Sequence, residues 1–332
     1  MATGTGDRRD AGRCIVNLLP LDEDERAQFT QAASDIRQVF VNGVDTRERL
    51  VWPAAFPRDL SDQVTAIIGN ATVDDVRSCR RLQWLQTWSA GFERYAAPGV
   101  LPDDVMITNA SGAYGPSVSE HLFAMMWSLM KRLPGYAVQQ TQGLWCDMGT
   151  TLSPFGGTAV IIGTGDIGSH FARLVHGVGM HTIGIRRHIE VGAEGIDEMH
   201  AFTELDEVLP RADVLAMVVP STPQTRHLLG AHNIGLLRHE AIVLNAGRGD
   251  AIDAAALTTA LDRGSLWGAG LDVTDPEPLP AGHPLWKQPR CLITPHVAGG
   301  NHLRRTGDAI IAIALENVRR YAAGEALTNR RR

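Results

Sequence analysis

The sequence is poor in cysteine and has no excess of basic residues, and each shortage excludes a class of protein. Its four cysteines, Cys14, Cys79, Cys146 and Cys291, form no CxxC pair and no Cys/His cluster. We therefore expect neither a metal site nor a disulfide framework. Acidic residues outnumber basic ones by 37 to 31, a net charge of −6, which argues against nucleic acid as a partner.

Long apolar segments are also lacking. No run is long enough to cross a bilayer, so we expect no membrane partner. Residues 1–13 contain no apolar stretch of the kind that a secretory signal needs. Together with the unpaired cysteines, these features predict a reduced, cytoplasmic protein.

What the chain does contain is alternating strand and helix patterns over 332 residues, enough for two domains. Short β-branched runs such as 159–162 and 241–245 are typical of buried parallel strands, and helical segments lie between them. The fold class predicted is α/β, with doubly wound sheets. The composition 109–116, NASGAYGP, is that of a linker between the two domains.

The segment 158–188 has the strand–turn–helix–strand order of a dinucleotide-binding unit. Its turn, GTGDIG, places Gly163 for a tight turn, Gly165 for approach of the backbone to a pyrophosphate, and Gly168 for close packing of helix on strand. The N-terminus of the following helix offers free N–H groups to the phosphates. We therefore interpret this segment as a dinucleotide-binding turn rather than an ordinary glycine-rich turn.

The end of the second strand indicates which dinucleotide binds. An NAD site usually carries an acidic residue about 20 residues past the first glycine. Here Arg186 and Arg187 take that place, and the first acid is Glu190. Because guanidinium groups bind a 2′-phosphate well, NADP(H) is favoured, with NAD(H) possible. The two arginines could instead be ordinary surface residues.

A long apolar helix is predicted over 117–133. Ser117 and Glu120 have the spacing of a capping box, so we expect the helix to begin there. Its segment 122–130 is apolar on nearly every side, which requires burial on more than one face. Packing inside the domain and packing against a second subunit both explain this pattern, and a homodimer through this helix is predicted.

Three later strands end in residues able to perform chemistry. Arg248 lies among glycines after one strand, Glu277 follows the next, and His296 follows the last. An arginine can hold a carboxylate, and a histidine backed by a carboxylate can pass a proton. Each residue alone has an ordinary structural explanation, but strand ends of a parallel sheet meet at one edge. Reduction of a 2-keto acid needs this set.

The chain resembles the D-isomer-specific 2-hydroxyacid dehydrogenase family over nearly its full length. The motifs that carry the resemblance are GTGDIG (163–168), PSTPQTRHLL (220–229), LNAGRGD (244–250), GAGLDVTDPEP (268–278) and TPHVAGG (294–300). The resemblance implies a Rossmann-type nucleotide domain, 116–302, inserted into a smaller flavodoxin-like catalytic domain, 1–115 plus 303–332. It also implies a hinge that closes the domains over the substrate.

The resemblance also assigns residues. Arg248 would bind the substrate carboxylate and carbonyl, and His296, paired with Glu277, would be the general acid/base. Ser89, Ala90 and Gly91 would form a substrate loop. The residues expected at the cofactor are Gly163, Gly165, Asp166, Ile167, Gly168, Arg186, Arg187, Pro220, Thr222, Thr225, Ala246, Gly247, Asp272, His296 and Gly299.

The chain lacks the usual acidic residue after the second strand of the nucleotide-binding unit. In this respect it resembles the glyoxylate/hydroxypyruvate reductases of the family. Formate dehydrogenases of the family carry Gln where this chain has Glu277, so formate is not expected as substrate. Two alternatives stay open: a nucleotide-sensing, corepressor-like interaction protein, and a phosphite or other small-anion dehydrogenase. The substrate is not fixed by the sequence. Four aromatic residues are candidates for a pocket, but a core position is the simpler expectation for each: Trp84, Trp88, Tyr114 and Trp145.

Overall fold

The computed structural model describes residues 12–53, 55–190 and 192–332. Residues 1–11 lie outside the described residues. They make up most of the N-terminal segment in which no secretory signal is expected. The chain divides into two compact units. The first consists of the residues up to Tyr114 together with Gly300–Arg332, and the second is Gly115–Gly299.

Strands and helices alternate along most of the described chain. Strands β1–β12 are Cys14–Asn17, Arg37–Phe40, Ala66–Ile68, Trp84–Gln86, Met106–Thr108, Thr158–Ile162, His181–Ile185, Glu198–His200, Val214–Met217, Ala241–Asn245, Leu266–Leu271 and Cys291–Ile293. Helices α1–α10 are Glu23–Ala32, Val73–Ser78, Glu93–Ala96, Gly115–Met130, Leu133–Thr141, Asp166–Gly177, Leu205–Val208, Ala231–Leu236, Ala254–Asp262 and Arg304–Ala323.

The first unit is built on a five-stranded parallel sheet. The strand order is β2-β1-β3-β4-β5, the doubly wound order of flavodoxin-like folds. The end of the chain completes this unit. Asn317 of α10 donates a hydrogen bond to the side chain of Gln86 on β4 (2.8 Å), and the amide of Arg331 donates to the carbonyl of Ile107 on β5 (2.8 Å). The unit therefore depends on both ends of the described chain.

The second unit is built on a seven-stranded parallel sheet with the order β12-β11-β10-β9-β6-β7-β8. The order reverses beside β6, so β7 and β9 flank it on opposite sides. Crevices at such a reversal are where open α/β sheets bind ligands. The prediction of an α/β protein with two doubly wound sheets is confirmed.

The capping box predicted for helix α4 is wrong, and the helix packs largely inside its own unit. It begins at Gly115, and Ser117 lies inside it, where its hydroxyl donates to the carbonyl of Ala298 (2.9 Å) instead of forming a capping box. The first amide, that of Gly115, is bound by the carboxylate of Asp166 (2.8 Å). A carboxylate from another helix thus replaces the predicted local cap. Most apolar side chains of α4 pack into the core of the same unit, against β6, β9 and β10.

Candidate active site

The glycine turn after β6 has the shape that dinucleotide binding requires. Gly163 has φ +96°, and a Cβ there would meet the carbonyl oxygen of Val218. A Cβ on Gly168 would overlap the carbonyl oxygen of Gly163, so helix α6 packs closely on the turn. Gly165 is exposed, with nothing within 4 Å of its Cβ position. Open space in front of an exposed backbone fits a pyrophosphate.

The two residues that follow Gly165 direct their side chains towards the protein. Asp166 opens α6, and its carboxylate accepts the Gly115 amide and lies 3.4 Å from the ring of His170. Its charge is therefore directed towards the protein. Ile167 is half-buried and packs against the core of the unit. The backbone of this turn, rather than these side chains, is the part suited to phosphate.

The arginines after β7 lie beside the glycine turn. The amide of Gly163 donates to the carbonyl of Ile185, the last residue of β7 (2.9 Å), and Arg186 follows directly. Arg186 is partly buried and Arg187 is exposed. The acid found further on, Glu190, is exposed and lies 3.5 Å from His188. The strand end next to the turn is thus basic, as the sequence predicts.

The segment after β9 forms a compact turn of its own. The hydroxyl of Thr225 donates to the carbonyl of Pro220 (2.6 Å) and accepts the amide of Thr222 (2.9 Å). These bonds fix the residues that line the carboxyl end of the strand beside β6. Pro220, Thr222 and Thr225, which the resemblance assigns to the cofactor, therefore lie at the edge where the sheet order reverses.

Arg248 is positioned by a buried asparagine at the end of β10. Asn245 is 1% exposed; its side chain accepts the amide of Gly247 (3.0 Å) and donates to the carbonyl of Arg248 (3.0 Å). A Cβ on Gly247 would approach the backbone of Val219 within 2.7 Å. Ala246 and Gly247 therefore run tightly past the end of β9, which leads Arg248 out at the same sheet edge.

His296 and Glu277 are brought together. Nδ1 of His296 lies 2.6 Å from a carboxylate oxygen of Glu277, and both side chains are about half exposed, 49% and 43%. The carboxylate accepts the Nδ1 proton, which leaves Nε2 for exchange with a substrate. His296 has φ +52°, an uncommon conformation for a residue with a side chain.

Asp272 holds this conformation in place. It is 3% exposed, and its carboxylate accepts bonds from the Thr294 hydroxyl (2.6 Å) and from the amides of Val297 (2.9 Å) and Ala298 (3.0 Å). Its carbonyl accepts the amide of His296 (2.8 Å). Asp272, expected at the cofactor, thus has its carboxylate occupied by the loop that carries His296. Gly299 comes directly after Ala298 in this loop.

Sequence reasoning missed several positioning residues in this unit. Asn245 was interpreted only as a strand residue. Nε2 of His121 on α4 lies 2.9 Å from the Thr294 hydroxyl. His121 thus contacts the Asp272 cluster, which consists of Asp272 and the groups that its carboxylate binds on Thr294, Val297 and Ala298. No local motif marks His121, because its partner is 173 positions away in the chain. The signal that could have been used for Asn245 is a polar residue closing an otherwise apolar strand.

The 89–91 segment belongs to the first unit and follows β4. Ser89 accepts a hydrogen bond from the side chain of Asn70 (3.0 Å) and donates to the carbonyl of Gly91 (2.6 Å). The side chain of Asn109 donates to the carbonyl of Ala90 (2.5 Å). The loop is therefore shaped by two asparagines that the sequence analysis did not identify. Ala90 is exposed.

Other kinds of site find no support in the described part of the chain. Among those residues no group of three or more His, Cys, Asp or Glu side chains could hold a metal ion. No helix formed by them is long and apolar enough to cross a bilayer.

The comparisons with known proteins agree with this geometry. Residues 123–298 match the family model described as D-isomer specific 2-hydroxyacid dehydrogenase, NAD binding domain. The chain is 30% identical over 269 residues to glyoxylate/hydroxypyruvate reductase B of Pectobacterium carotovorum, covering 79% of this chain and 82% of the relative. It is 29% identical over 310 residues to the protein of that name from Erwinia tasmaniensis, covering 90% and 93%.

A solved structure is similar across both units. A D-isomer specific 2-hydroxyacid dehydrogenase family protein from Aeromonas salmonicida gives a TM-score of 0.80 at 30% identity, covering 96% of this chain and 98% of the other. The predicted enzyme class is confirmed: the protein is a nicotinamide-dependent oxidoreductase acting on small hydroxy or keto acids. This chain belongs to the D-isomer specific 2-hydroxyacid dehydrogenase family.

Proposed function

We propose that the protein reduces a 2-keto acid to the D-2-hydroxy acid, with NADPH as the preferred reductant. The observation that carries the proposal is the 2.6 Å contact between His296 and Glu277, on the strand-end edge that also bears the glycine turn and Arg248. This edge offers a proton donor, an anion-binding guanidinium and a phosphate-binding backbone.

Each residue of the proposed site has a separate role in the reduction. Arg248 binds the carboxylate and carbonyl oxygen of the substrate and stabilises the charge that develops on that oxygen. A nicotinamide bound at this edge would supply the hydride for C2. Glu277 fixes the ring of His296, whose Nε2 gives its proton to the carbonyl oxygen. The Asp272 cluster holds the backbone of His296, so that the ring keeps its place during turnover.

The preference for NADP(H) rests on the basic end of β7. Arg186 follows Ile185, whose carbonyl accepts the amide of Gly163, and this backbone neighbourhood supports a guanidinium close to the adenosine ribose of a bound dinucleotide. Replacing Arg186 by Asp together with Arg187 by Ser should raise the KM for NADPH far more than that for NADH. Equal effects on both cofactors would remove the argument.

The two units have different tasks in this proposal. The second unit binds the dinucleotide, and the first carries the substrate loop 89–91. The predicted boundaries, 116–302 and 1–115 with 303–332, differ from the observed division by a few residues. The four free cysteines suit a reducing compartment such as the cytoplasm.

We also propose that the protein is a homodimer, with no nucleic acid or membrane partner. Most apolar side chains of the 117–133 helix pack inside their own unit. Large apolar side chains are nevertheless exposed at the end of this helix and in the segment that follows, as far as residue 155. They are Leu133, Val138, Leu144, Trp145 and Phe155. Trp145 is fully exposed, so its expected core position is wrong. Light scattering of the wild type and of Trp145→Ser tests whether this surface holds two copies together.

A single assay tests the central proposal. NADPH oxidation is followed with a panel of 2-keto acids for the wild type and His296→Ala. Loss of the general acid should lower kcat at least about 10²-fold, while NADPH binding, measured by fluorescence, stays nearly unchanged. His232→Ala is the control, because that exposed histidine contacts Asp206 on the solvated surface (3.0 Å). Activity retained in His296→Ala would refute the assignment, and no turnover with any acid would refute the function.

A further inference from the structure

A cavity of about 720 Å³ lies beside the 89–91 loop in the first unit. Ser89 and Gly91 form part of its wall, and the remainder comes from the segments around residues 49–53, 70–72 and 92–94. Its size is within the roughly 300–1,000 Å³ of pockets that hold drug-sized ligands. A two-carbon acid such as glyoxylate would leave most of it empty.

The deep part of the cavity is apolar and aromatic. Trp52 is 1% exposed and Ala71 is fully buried, while Trp88 and Phe92 are half-buried. The rings of Trp52 and Trp88 lie 5.7 Å apart at 55°, a tilted arrangement typical of favourable aromatic contacts. The indole N–H of Trp52 is bound by the carbonyl of Arg47 (2.9 Å), and this almost completely buried ring packs behind Trp88. The aromatic surface open to a ligand therefore comes from Trp88 and Phe92.

The charged groups of the cavity lie at its exposed rim. Arg49, Glu93 and Arg94 are all exposed. The guanidinium of Arg94 stacks on the ring of Tyr95, 4.6 Å from its centroid, and charges of both signs are present. A second carboxylate on the substrate would therefore find no buried cation in the depth of this cavity, whereas an apolar group would find aromatic surface.

We propose that this cavity receives the side chain of the substrate, and that the preferred substrates are 2-keto acids with an aromatic or large apolar side chain. The inference rests on the proposed function, since it takes 89–91 as the loop that binds the substrate carboxylate. For phenylpyruvate, hydride adds to C2, the carbonyl oxygen takes a proton, and phenyllactate and NADP⁺ are formed.

The first test compares kcat/KM for phenylpyruvate, glyoxylate and 2-oxoglutarate with NADPH. Even one methylene in an apolar pocket is worth about tenfold or more, so phenylpyruvate should exceed glyoxylate by at least about tenfold. A glyoxylate value equal to or above that of phenylpyruvate would overturn the inference and leave the proposed function standing. A preference for 2-oxoglutarate would overturn it in favour of an anionic side chain. Absence of turnover with all three would contradict the function itself.

A matched pair of variants locates the effect in the cavity. Val51 lines it and is 61% exposed, whereas Val44 is 48% exposed and does not line it. Val51→Asp places a carboxylate on the apolar wall, and the phenylpyruvate-to-glyoxylate ratio of kcat/KM should fall about tenfold. Val44→Asp makes the same chemical change nearby and should leave the ratio as in the wild type. Equal ratios in both variants would overturn the inference.

A third variant tests the aromatic wall itself. Trp88→Leu removes half of the indole pair and should lower the same ratio by about tenfold. Thermal unfolding shows whether the variant is folded, because the ratio is interpreted only between folded proteins. A folded Trp88→Leu protein with the wild-type ratio would show that the aromatic wall does not select the substrate.

Discussion

The amide of Asp272 donates a hydrogen bond to the carbonyl of Asn245 (2.9 Å), and both residues are almost completely buried. Asn245 then shapes the loop that carries Arg248, and Asp272 shapes the loop that carries His296. The two loops that carry the proposed catalytic residues are thus joined through one contact between neighbouring strand ends. Their relative positions are fixed by core residues and not by the exposed side chains themselves.

Replacing Asp272 tests this arrangement. Asp272→Asn keeps the shape but turns one acceptor into a donor facing buried donors, and we expect about 1–3 kcal/mol less free energy of unfolding. The kcat should fall along with it, since the His296 loop loses its anchor. Urea denaturation and steady-state kinetics measure the two effects. Asp206→Asn, on the surface, should change neither by a comparable amount.

Two glycines of the turn should respond differently to alanine. At Gly165 a Cβ has open space, so Gly165→Ala should fold normally yet bind NADPH about 5- to 150-fold more weakly, because the methyl group meets the pyrophosphate. Gly168→Ala forces a Cβ against the carbonyl of Gly163 and should lower the melting temperature. Calorimetry and NADPH titration check both variants. Normal NADPH affinity in Gly165→Ala would contradict the phosphate site.

The charge of Glu277 can be separated from its hydrogen bond. Glu277→Gln keeps an oxygen that accepts the Nδ1 proton of His296 but removes the negative charge beside the ring. We expect kcat to fall by about 10²-fold, the smallest loss expected for His296→Ala, with little change in NADPH affinity. Wild-type kcat in this variant would show that the carboxylate only orients the ring.

A network on β8 gives a pH-dependent contribution to stability. The Arg211 guanidinium, with help from His181, holds the pKa of Glu198 well below 4.5. The Ala201 amide lowers the pKa of Glu204, and Glu204 raises the pKa of His200 above 6.5. The carboxylates stabilise the fold above pH 4.5, and this contribution is lost as pH falls through their lowered pKa values. The histidine stabilises it below pH 6.5, and that contribution is lost as pH rises through its raised pKa.

The network should therefore stabilise most between about pH 4.5 and 6.5. His200→Gln should lower the melting temperature more at pH 5.5 than at pH 8.5, because only the protonated ring gains from Glu204. The groups are largely solvated, so the difference should be small, a few degrees at most. His239→Gln, on an exposed histidine, is the control. A His200→Gln effect that does not change with pH would rule out the assignment.

The four thiols should differ sharply in reactivity. Burial raises the pKa of Cys79 to about 11 and that of Cys291 to about 12, and it also raises the pKa of Cys14. Cys146 is exposed. At pH 8 a disulfide reagent should label one thiol quickly, and Cys146→Ser should remove this phase. A fast phase that survives in Cys146→Ser would contradict the burial of the other three.

The sequence was informative wherever structure follows from local pattern. The strand 241–245 was predicted with its observed bounds, since an apolar run closed by Asn245 needs no distant information. The glycine turn was found because each glycine answers a steric demand set within a few residues. The pairing of Glu277 with His296 came from the resemblance, and strand order made it geometrically reasonable.

What could not be predicted depends on partners far along the chain. The capping box predicted at Ser117 is wrong because Asp166 binds the first amide of the helix, that of Gly115, from 51 positions further along the chain. Asn70 and Asn109 fix the 89–91 loop from segments about 19 residues to either side, and a lone asparagine in a sequence indicates only a turn. The cavity beside that loop needs several segments together, and no periodicity reveals it.

The use of residues 304–332 to finish the first unit has a consequence for how the protein is made. A ribosome completes the whole of the second unit before α10 and the segment that pairs with β5 have emerged. Until then the first sheet has an open edge at β5, a template for pairing with other chains. A frameshift or stop codon just after Ala323 would leave the second unit intact but deprive β5 of its cover, so truncated translation products should aggregate through the first unit.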